Sequence, residues 1–211
     1  MARRPPCLYL VTDRTRTRGR PLVEVVEAAL QGGVDAVQLR EKDLPVAELF
    51  ALACKLGERC RQYGARLLIN DRVDVAVAAQ AGGVHLPVNS FAPADARALL
   101  GPAGLIGCST HSLAEARAAA AGGADFIVFG PVFDTPSKRP FGPPVGLSAL
   151  AEVTRSVSLP VVAIGGMTAE RAAAARRHGA RGVAVVSALL EAVDPRAAAA
   201  ALRAPFSAGY W

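Results

Sequence analysis

Apolar residues along this chain fall into short, nearly continuous runs separated by longer Ala-rich stretches with helical spacing. The runs at 7–12, 35–40, 66–70, 83–86, 105–110, 126–130, 160–164 and 182–186 read as strands. Between them, 22–31, 45–63, a stretch ending at 80, 93–100, 112–121, 147–157, 168–178, a short turn from 188, and 195–202 read as helices. Pro21 and Pro45 suit helix starts, Gly64 and Gly179 suit helix ends, and Thr168 is an N-cap candidate. A Gly-Gly or Gly-Ala pair, then Asp or Arg, then a strand recurs at 32–36, 122–126 and 179–183, as expected at the turns of repeated β/α units. Strands apolar throughout need cover on both faces, which calls for an all-parallel sheet under helices. Eight such units close a barrel, so the chain reads as α/β, a single (β/α)8 TIM-type barrel. It is taken as one domain over 1–211, with the barrel at 7–203 and a tail at 204–211. An open doubly wound sheet is the alternative, disfavoured because no Gly-x-Gly-x-x-Gly follows the first strand.

Composition narrows the classes. The 211 residues carry a net charge of +6, which favours anionic ligands, but no Lys/Arg run is interleaved with aromatics, so nucleic acid is not expected. No apolar run approaches the ~20 residues of a membrane span, and the apolar run after the basic N-terminus is too short for a signal peptide. Cys7, Cys54, Cys60 and Cys108 lack metal-type spacing, and buried reduced thiols in a cytoplasmic protein are the expectation.

In such a barrel the active site lies where the strands end. Those ends gather Asp13, then Gln38, Arg40 and Lys42, Asn70 and Asp71, His85, Ser109 and His111, Gly165 and Gly166, and Ser187. Gln38, Arg40 and Lys42 alternate with apolar Leu39 and with Glu41, so an extended chain throws all three to one face as a cationic mouth. The other reading is a strand running into a charged loop. Gly165-Gly166 before Thr168, with Ser187 opening a short helix, has the form of a phosphate site at the last two strands. His111 is the candidate for proton transfer, because an unperturbed histidine side chain titrates close to neutrality. His85 reads as a satisfied core histidine and His178 as a helix-end cation. Asp71 suits either a divalent cation or the N-cap of the next helix. The Pro- and Gly-rich stretch 131–146 reads as a lid, with Lys138 folding over an anion.

As an ordered set, Val37-Gln38-Leu39-Arg40-Glu41-Lys42, Leu68-Ile69-Asn70-Asp71-Arg72, Val84-His85-Leu86, Ser109-Thr110-His111-Ser112, Phe129-Gly130-Pro131-Val132-Phe133 and Ala163-Ile164-Gly165-Gly166 resemble the thiamine phosphate synthase superfamily, which includes the TenI thiazole tautomerases. The resemblance runs from about Leu8 to Ala192 and implies a TIM-type barrel and a role in thiamine biosynthesis. It implies Mg²⁺ in the synthases, held by the Asp matching Asp71 and by a second Asp after the Val-His-Leu strand. Here that second stretch reads Pro87-Val88-Asn89-Ser90, and the usual Thr-x-Thr-Lys reads Thr135-Pro136-Ser137-Lys138. Both departures are similar to the tautomerase branch. The resemblance therefore implies a thiazole tautomerase that needs no cofactor, acting on a small phosphorylated thiazole by proton transfer through His111. Gly165, Gly166 and Ser187 would hold the phosphate, and Gln38, Arg40, Lys42, Asn70, Ser109 and Lys138 would line the substrate site. The alternative is the synthase, joining hydroxymethylpyrimidine diphosphate to thiazole phosphate with Mg²⁺ at Asp71. A homo-oligomer is left open.

Overall fold

The computed structural model describes residues 4–207. Eight strands follow in order: β1 (Leu8–Val11), β2 (Ala36–Leu39), β3 (Arg66–Asn70), β4 (Gly83–Leu86), β5 (Leu105–Thr110), β6 (Phe126–Phe129), β7 (Val161–Ile164) and β8 (Gly182–Val185). Each pairs in parallel with the next, and β8 returns to β1 through Leu8↔Val183, Tyr9↔Ala184 and Leu10↔Val185. The sheet is a closed barrel, not an open one. Around it lie α1 (Leu22–Gln31), α2 (Val46–Gln62), α3 (Val73–Ala78), α4 (Pro93–Leu100), α5 (Leu113–Ala121), α6 (Gly146–Ser156), α7 (Ala169–Arg177), α8 (Ser187–Leu190) and α9 (Pro195–Arg203). Among the described residues no helix is long and apolar enough to cross a membrane.

Alternation along each strand builds two cores. Leu8 and Leu10, Val37 and Leu39, Leu67 and Ile69, Val84 and Leu86 face outward into the helices and join the larger apolar cluster. Tyr9, Ala36, Leu68, Leu105, Phe126, Val128, Val162 and Ala184 face inward and form a separate cluster inside the barrel. The inner set works by pairing large with small. Tyr9 is flanked by Ala36 and Ala184, while Phe126 and His85 both neighbour Gly107. The three rings meet at the centre, Tyr9–Phe126 at 5.7 Å, Tyr9–His85 at 5.8 Å and His85–Phe126 at 6.2 Å between centroids. Together they plug the barrel below its mouth.

The opposite end is closed by carboxylates from the repeated Gly-Gly turns. Asp35 accepts from the Cys7 and Leu8 amides at 3.1 Å and pairs with Arg203 of α9 at 2.8 Å. Asp125 accepts from the Ile106 amide at 2.7 Å and pairs with Arg97 of α4 at 2.6 Å. In each case the Asp before one strand satisfies the first amides of the preceding strand, which have no ladder partner of their own. The third such turn, at Gly179-Ala180-Arg181, carries no carboxylate to do this.

Several expectations need correction. Strand β2 stops at Leu39, so Arg40 has already left the sheet. The 131–146 stretch is not all loop, because Pro136–Phe141 winds into a 3-10 turn and Gly146 already opens α6. Cys60 and Cys108 are buried, and burial pushes each thiol up to about 12, but Cys7 is half-buried and Cys54 is exposed. Of the tail, Ala204–Phe206 docks as a 3-10 turn, with Phe206 buried under the Arg176 guanidinium at 5.6 Å. Residues 1–3 and 208–211, read as a leaderless start and the end of the tail, lie outside the described residues.

A methyl group at Gly107 would stand 2.3 Å from Phe126 Cζ and 2.9 Å from His85 Nδ1, and neither ring has room to retreat. Gly107→Ala is expected to cost about 1–3 kcal/mol by overpacking, or roughly 2–4 °C of Tm per kcal/mol for a chain of this size. Thermal unfolding followed by circular dichroism reads it. An unchanged Tm would mean that the ring plug has slack.

Candidate active site

The site is built upward from the ring plug. Gln38 is buried beside Tyr9 and donates through Nε2 to the Tyr9 hydroxyl at 3.2 Å. His85 shares a hydrogen bond between Nε2 and Ser109 Oγ at 2.9 Å. The satisfied histidine expected at this position is only half satisfied: Nδ1 is buried and has no partner among the described residues. Burial, then the nearby Arg40 charge, pushes the imidazole down to about 3, so it stands neutral under the mouth.

Above this plug the expected cationic mouth is present in part. Gln38 lies inside the barrel, Arg40 is half-buried at the rim and Lys42 is exposed. The Arg40 amide donates to Thr12 Oγ1 at 2.9 Å, which fixes the chain as it leaves β2. Glu41 is 5% exposed and borders the same cavity as Lys42, accepting from the Arg14 amide at 3.1 Å and from its guanidinium at 3.1 Å. Neither the Arg40 nor the Lys42 side chain has an ion-pair partner among the described residues. Lys138 reaches the same region from the 131–146 stretch. Its ammonium is held below the usual lysine range by desolvation first, then by the charges of Arg40 and Lys42.

Lys42, Asn70 and Asp71 line one cavity of about 270 Å³ at the ends of β2 and β3. Asp71 does not cap α3, whose N-cap position is Arg72 with no side-chain cap. It stands at φ 65°, in the left-handed region, and its Oδ1 accepts from the Ser90 hydroxyl at 2.5 Å. The Ser90 hydroxyl is thus the polar group held directly against the Asp71 carboxylate. Among the described residues no three His, Cys, Asp or Glu side chains gather to hold a metal ion.

The phosphate-type loop lies on the other side of the mouth. Gly165 and Gly166 stand at φ 104° and 59°, and a Cβ on either would run into Pro131 or the Asp134 carbonyl. Glycine is needed here on both counts. The amides of Gly166, Ser187 and Ala188 donate to nothing among the described residues. Thr168 caps α7, accepting from the Arg171 amide at 3.3 Å, as expected. His178 bonds the Ala174 carbonyl through Nδ1 at 2.8 Å and is structural. His111 follows β5, beside the capping box of Ser112 and Glu115. Ser112 accepts from the Glu115 amide and Glu115 from the His111 amide at 2.7 Å. Its Nδ1 lies 2.5 Å from the Gly130 carbonyl, an acceptor only, so Nδ1 carries the proton and Nε2 is left for exchange. No described contact joins His111 to the cations or to the glycine loop.

A family model described as thiamine monophosphate synthase matches residues 8–189. The chain belongs to that family. It is 52% identical to a putative thiamine-phosphate synthase of Geobacter sulfurreducens, over 93% of this chain and 92% of the relative. It is 46% identical to a thiamine-phosphate synthase of Roseiflexus castenholzii, over 92% and 86%. A thiamine phosphate pyrophosphorylase structure from Pyrococcus furiosus superposes with a TM-score of 0.85 at 38% identity, covering 94% of each chain. A 3-hexulose-6-phosphate synthase structure, at 18% identity and a TM-score of 0.69, shares the fold.

Family membership makes the metal question specific. Mg²⁺ commonly takes one or two carboxylates and completes its shell with water and substrate phosphate. Asp71, with the Ser90 hydroxyl beside it, meets the lower of those limits. What sequence reasoning missed are the groups that hold the listed side chains in place: Tyr9 under Gln38, Thr12 under the Arg40 amide, and Arg14 on Glu41. Each is joined across strands or loops, at a separation of 27 to 29 residues, so no local pattern marks it.

The neutral His85 gives a pH test. Its folded pKa of about 3 lies below the ordinary value of about 6.5, so on acidification the unfolded chain takes up this proton first. Stability contributed by the neutral ring is therefore complete above pH 6.5 and is lost as pH falls toward 3. The loss is steepest at about 1.4 kcal/mol per pH unit for one proton. His85→Gln, which keeps a polar partner for Ser109, should show a shallower acid limb in denaturant unfolding between pH 6.5 and 4. Parallel limbs for the two proteins would show that His85 does not titrate between the two states.

Proposed function

We propose that this chain joins hydroxymethylpyrimidine diphosphate to thiazole phosphate, releasing pyrophosphate and leaving thiamine phosphate. The names of relatives at 46% and 52% identity support this order of readings over the tautomerase that the sequence places first. The observation that carries it is the grouping of Lys42 with Asp71 and Asn70 around one cavity, with Arg40 close enough to act, like Lys42, on the Lys138 ammonium. That is a setting for a highly charged anion and its counter-ion, more than for a single carboxylate.

In this reading the carbon–oxygen bond to the diphosphate breaks, the oxygen keeps the electron pair, and the thiazole nitrogen supplies a pair to the same carbon. Arg40, Lys42 and Lys138 take up the negative charge that grows on the departing pyrophosphate, where fixed cations act most strongly. Mg²⁺ at Asp71, when bound, would neutralise part of the same charge. The unpaired amides of Gly166, Ser187 and Ala188 would hold the thiazole phosphate. Gln38, Asn70 and Ser109 would present polar groups to the pyrimidine from the barrel interior, above rings that exclude water. Binding both partners in one mouth makes the attack effectively unimolecular.

One observation favours the tautomerase as a second reading: Ser90, not a carboxylate, stands 2.5 Å from Asp71. His111, with Nε2 unengaged, would then move a proton from the ring carbon bearing the carboxylate to the exocyclic carbon, and no metal would be needed.

Both substrate sets offered to the purified protein, with and without chelator, separate the two. Thiamine phosphate formed only with Mg²⁺ is the expected result. Turnover of the non-aromatic carboxythiazole phosphate alone, unaffected by chelator, would reverse the order. The half-built metal site gives a further test. Ser90→Asp should raise Mg²⁺-dependent affinity for the pyrimidine diphosphate by roughly a few-fold, since it adds a hard anionic ligand. Without metal it should weaken that affinity, because like charges then face each other. Calorimetry in both conditions reads the two signs, and a variant that loses affinity in both would show that Ser90 is not placed to reach the metal.

A further inference from the structure

The segment Arg40-Glu41-Lys42-Asp43 alternates cation and anion, and left to itself it would largely neutralise its own charge. It does not, because a residue from another loop takes both anions. Arg14, just past β1, holds Asp43 with two parallel bonds at 2.7 Å and Glu41 at 3.1 Å through the same guanidinium. The Arg14 amide adds bonds to Glu41 at 3.1 and 3.2 Å. The Glu41 side chain is 3% exposed, and its charge is taken up by Arg14, with no ion pair to Arg40 or Lys42 among the described residues.

We propose that Arg14 is a positioning residue of the anion site. By engaging Glu41 and Asp43, it keeps both carboxylates away from Arg40 and Lys42 and leaves those cations to a diphosphate. Arg suits this role better than Lys, since one planar fork satisfies two oxygens of Asp43 while still reaching Glu41. Without the guanidinium, Asp43 is an exposed anion one residue from Lys42 and free to swing onto it. Glu41 would be left with only the Arg14 amide, a weak hold for a buried charge. The cations would then meet an arriving phosphate already partly neutralised. The inference rests on reading the mouth as a diphosphate site, and its test uses a ligand that needs no turnover.

Inorganic pyrophosphate, titrated by calorimetry at low and high salt, reads the charge left on the mouth. Arg14→Met should weaken its binding about fivefold at low salt, the scale of a single exposed ion pair. The gap should narrow at high salt, where the competing pairs are screened. Arg14→Met combined with Asp43→Asn should recover much of the loss, because the freed anion is gone, and Asp43→Asn alone should bind at least as well as the parent. Circular dichroism confirms that each variant is folded, and if Arg14→Met is not, Arg14→Lys and the Asp43→Asn comparison carry the test. An Arg14→Met protein that binds pyrophosphate like the parent overturns the proposal, and so does a loss that Asp43→Asn fails to restore. A parent that binds pyrophosphate in this Arg14-dependent way yet forms no thiamine phosphate would overturn the synthase reading and leave the role of Arg14 standing.

Discussion

A closed eight-stranded barrel has an interior that must be filled by side chains, and here that requirement sets where chemistry can happen. Tyr9, His85 and Phe126 fill it with three rings, made possible by Gly107, Ala36 and Ala184 beside them. Rings with polar edges are not interchangeable with leucines at this level. The Tyr9 hydroxyl and His85 Nε2 point to Gln38 and Ser109, so the plug ends in a polar surface facing the mouth. One layer of side chains thus closes the barrel, excludes water from below and orients the first polar groups a substrate would meet. The bottom of the barrel, tied by Asp35–Arg203 and Asp125–Arg97, holds the strands in register without contributing to the site.

Much of the fold was legible because its signals are local. Eight apolar runs, glycine pairs at helix ends and the cap at Thr168 each report on a few adjacent residues, and the structure places them as read. The misreadings arise where a tertiary contact overrides a local rule. Asp71 suits a cation or an N-cap equally by sequence, and the second fails because a left-handed backbone turns it toward Ser90 and α3 begins without it. Cys54 sits in an amphipathic stretch whose phase, by one residue, decides between core and solvent.

The site was legible as a set of strand ends and illegible as a set of partnerships. Arg40 and Lys42 both come within electrostatic reach of Lys138, but nothing in the stretch 38–43 says that Arg14 receives Glu41. His85 illustrates the limit from the other direction. Its burial follows from the pattern of β4, whereas the unpartnered Nδ1 depends on Gly107 and Phe126, from two other strands. The division between synthase and tautomerase turned on Ser90. The sequence shows a missing carboxylate, and the relatives show that chains this similar carry the synthase name.

The glycine loop after β7 and the cations after β2 are linked by the 131–146 stretch. The Val132 amide donates to the Ile164 carbonyl at 2.7 Å and the Phe133 amide to the Gly165 carbonyl at 3.3 Å, so the pairing of β6 with β7 runs on into the glycine loop. Pro131 and Asp134 pack where Cβ atoms on Gly165 and Gly166 would be. Arg171 adds a bond to the Gly166 carbonyl at 2.6 Å and lies 5.0 Å over the Phe133 ring. The near end of the stretch is therefore built into the glycine loop itself. The far end carries Lys138 to within electrostatic reach of Arg40 and Lys42, while Asp134 binds Arg139 and keeps that cation at the base. The stretch that packs against the glycine loop is thus the same one that brings Lys138 toward Arg40 and Lys42, so a shift at either end is carried along one piece of backbone.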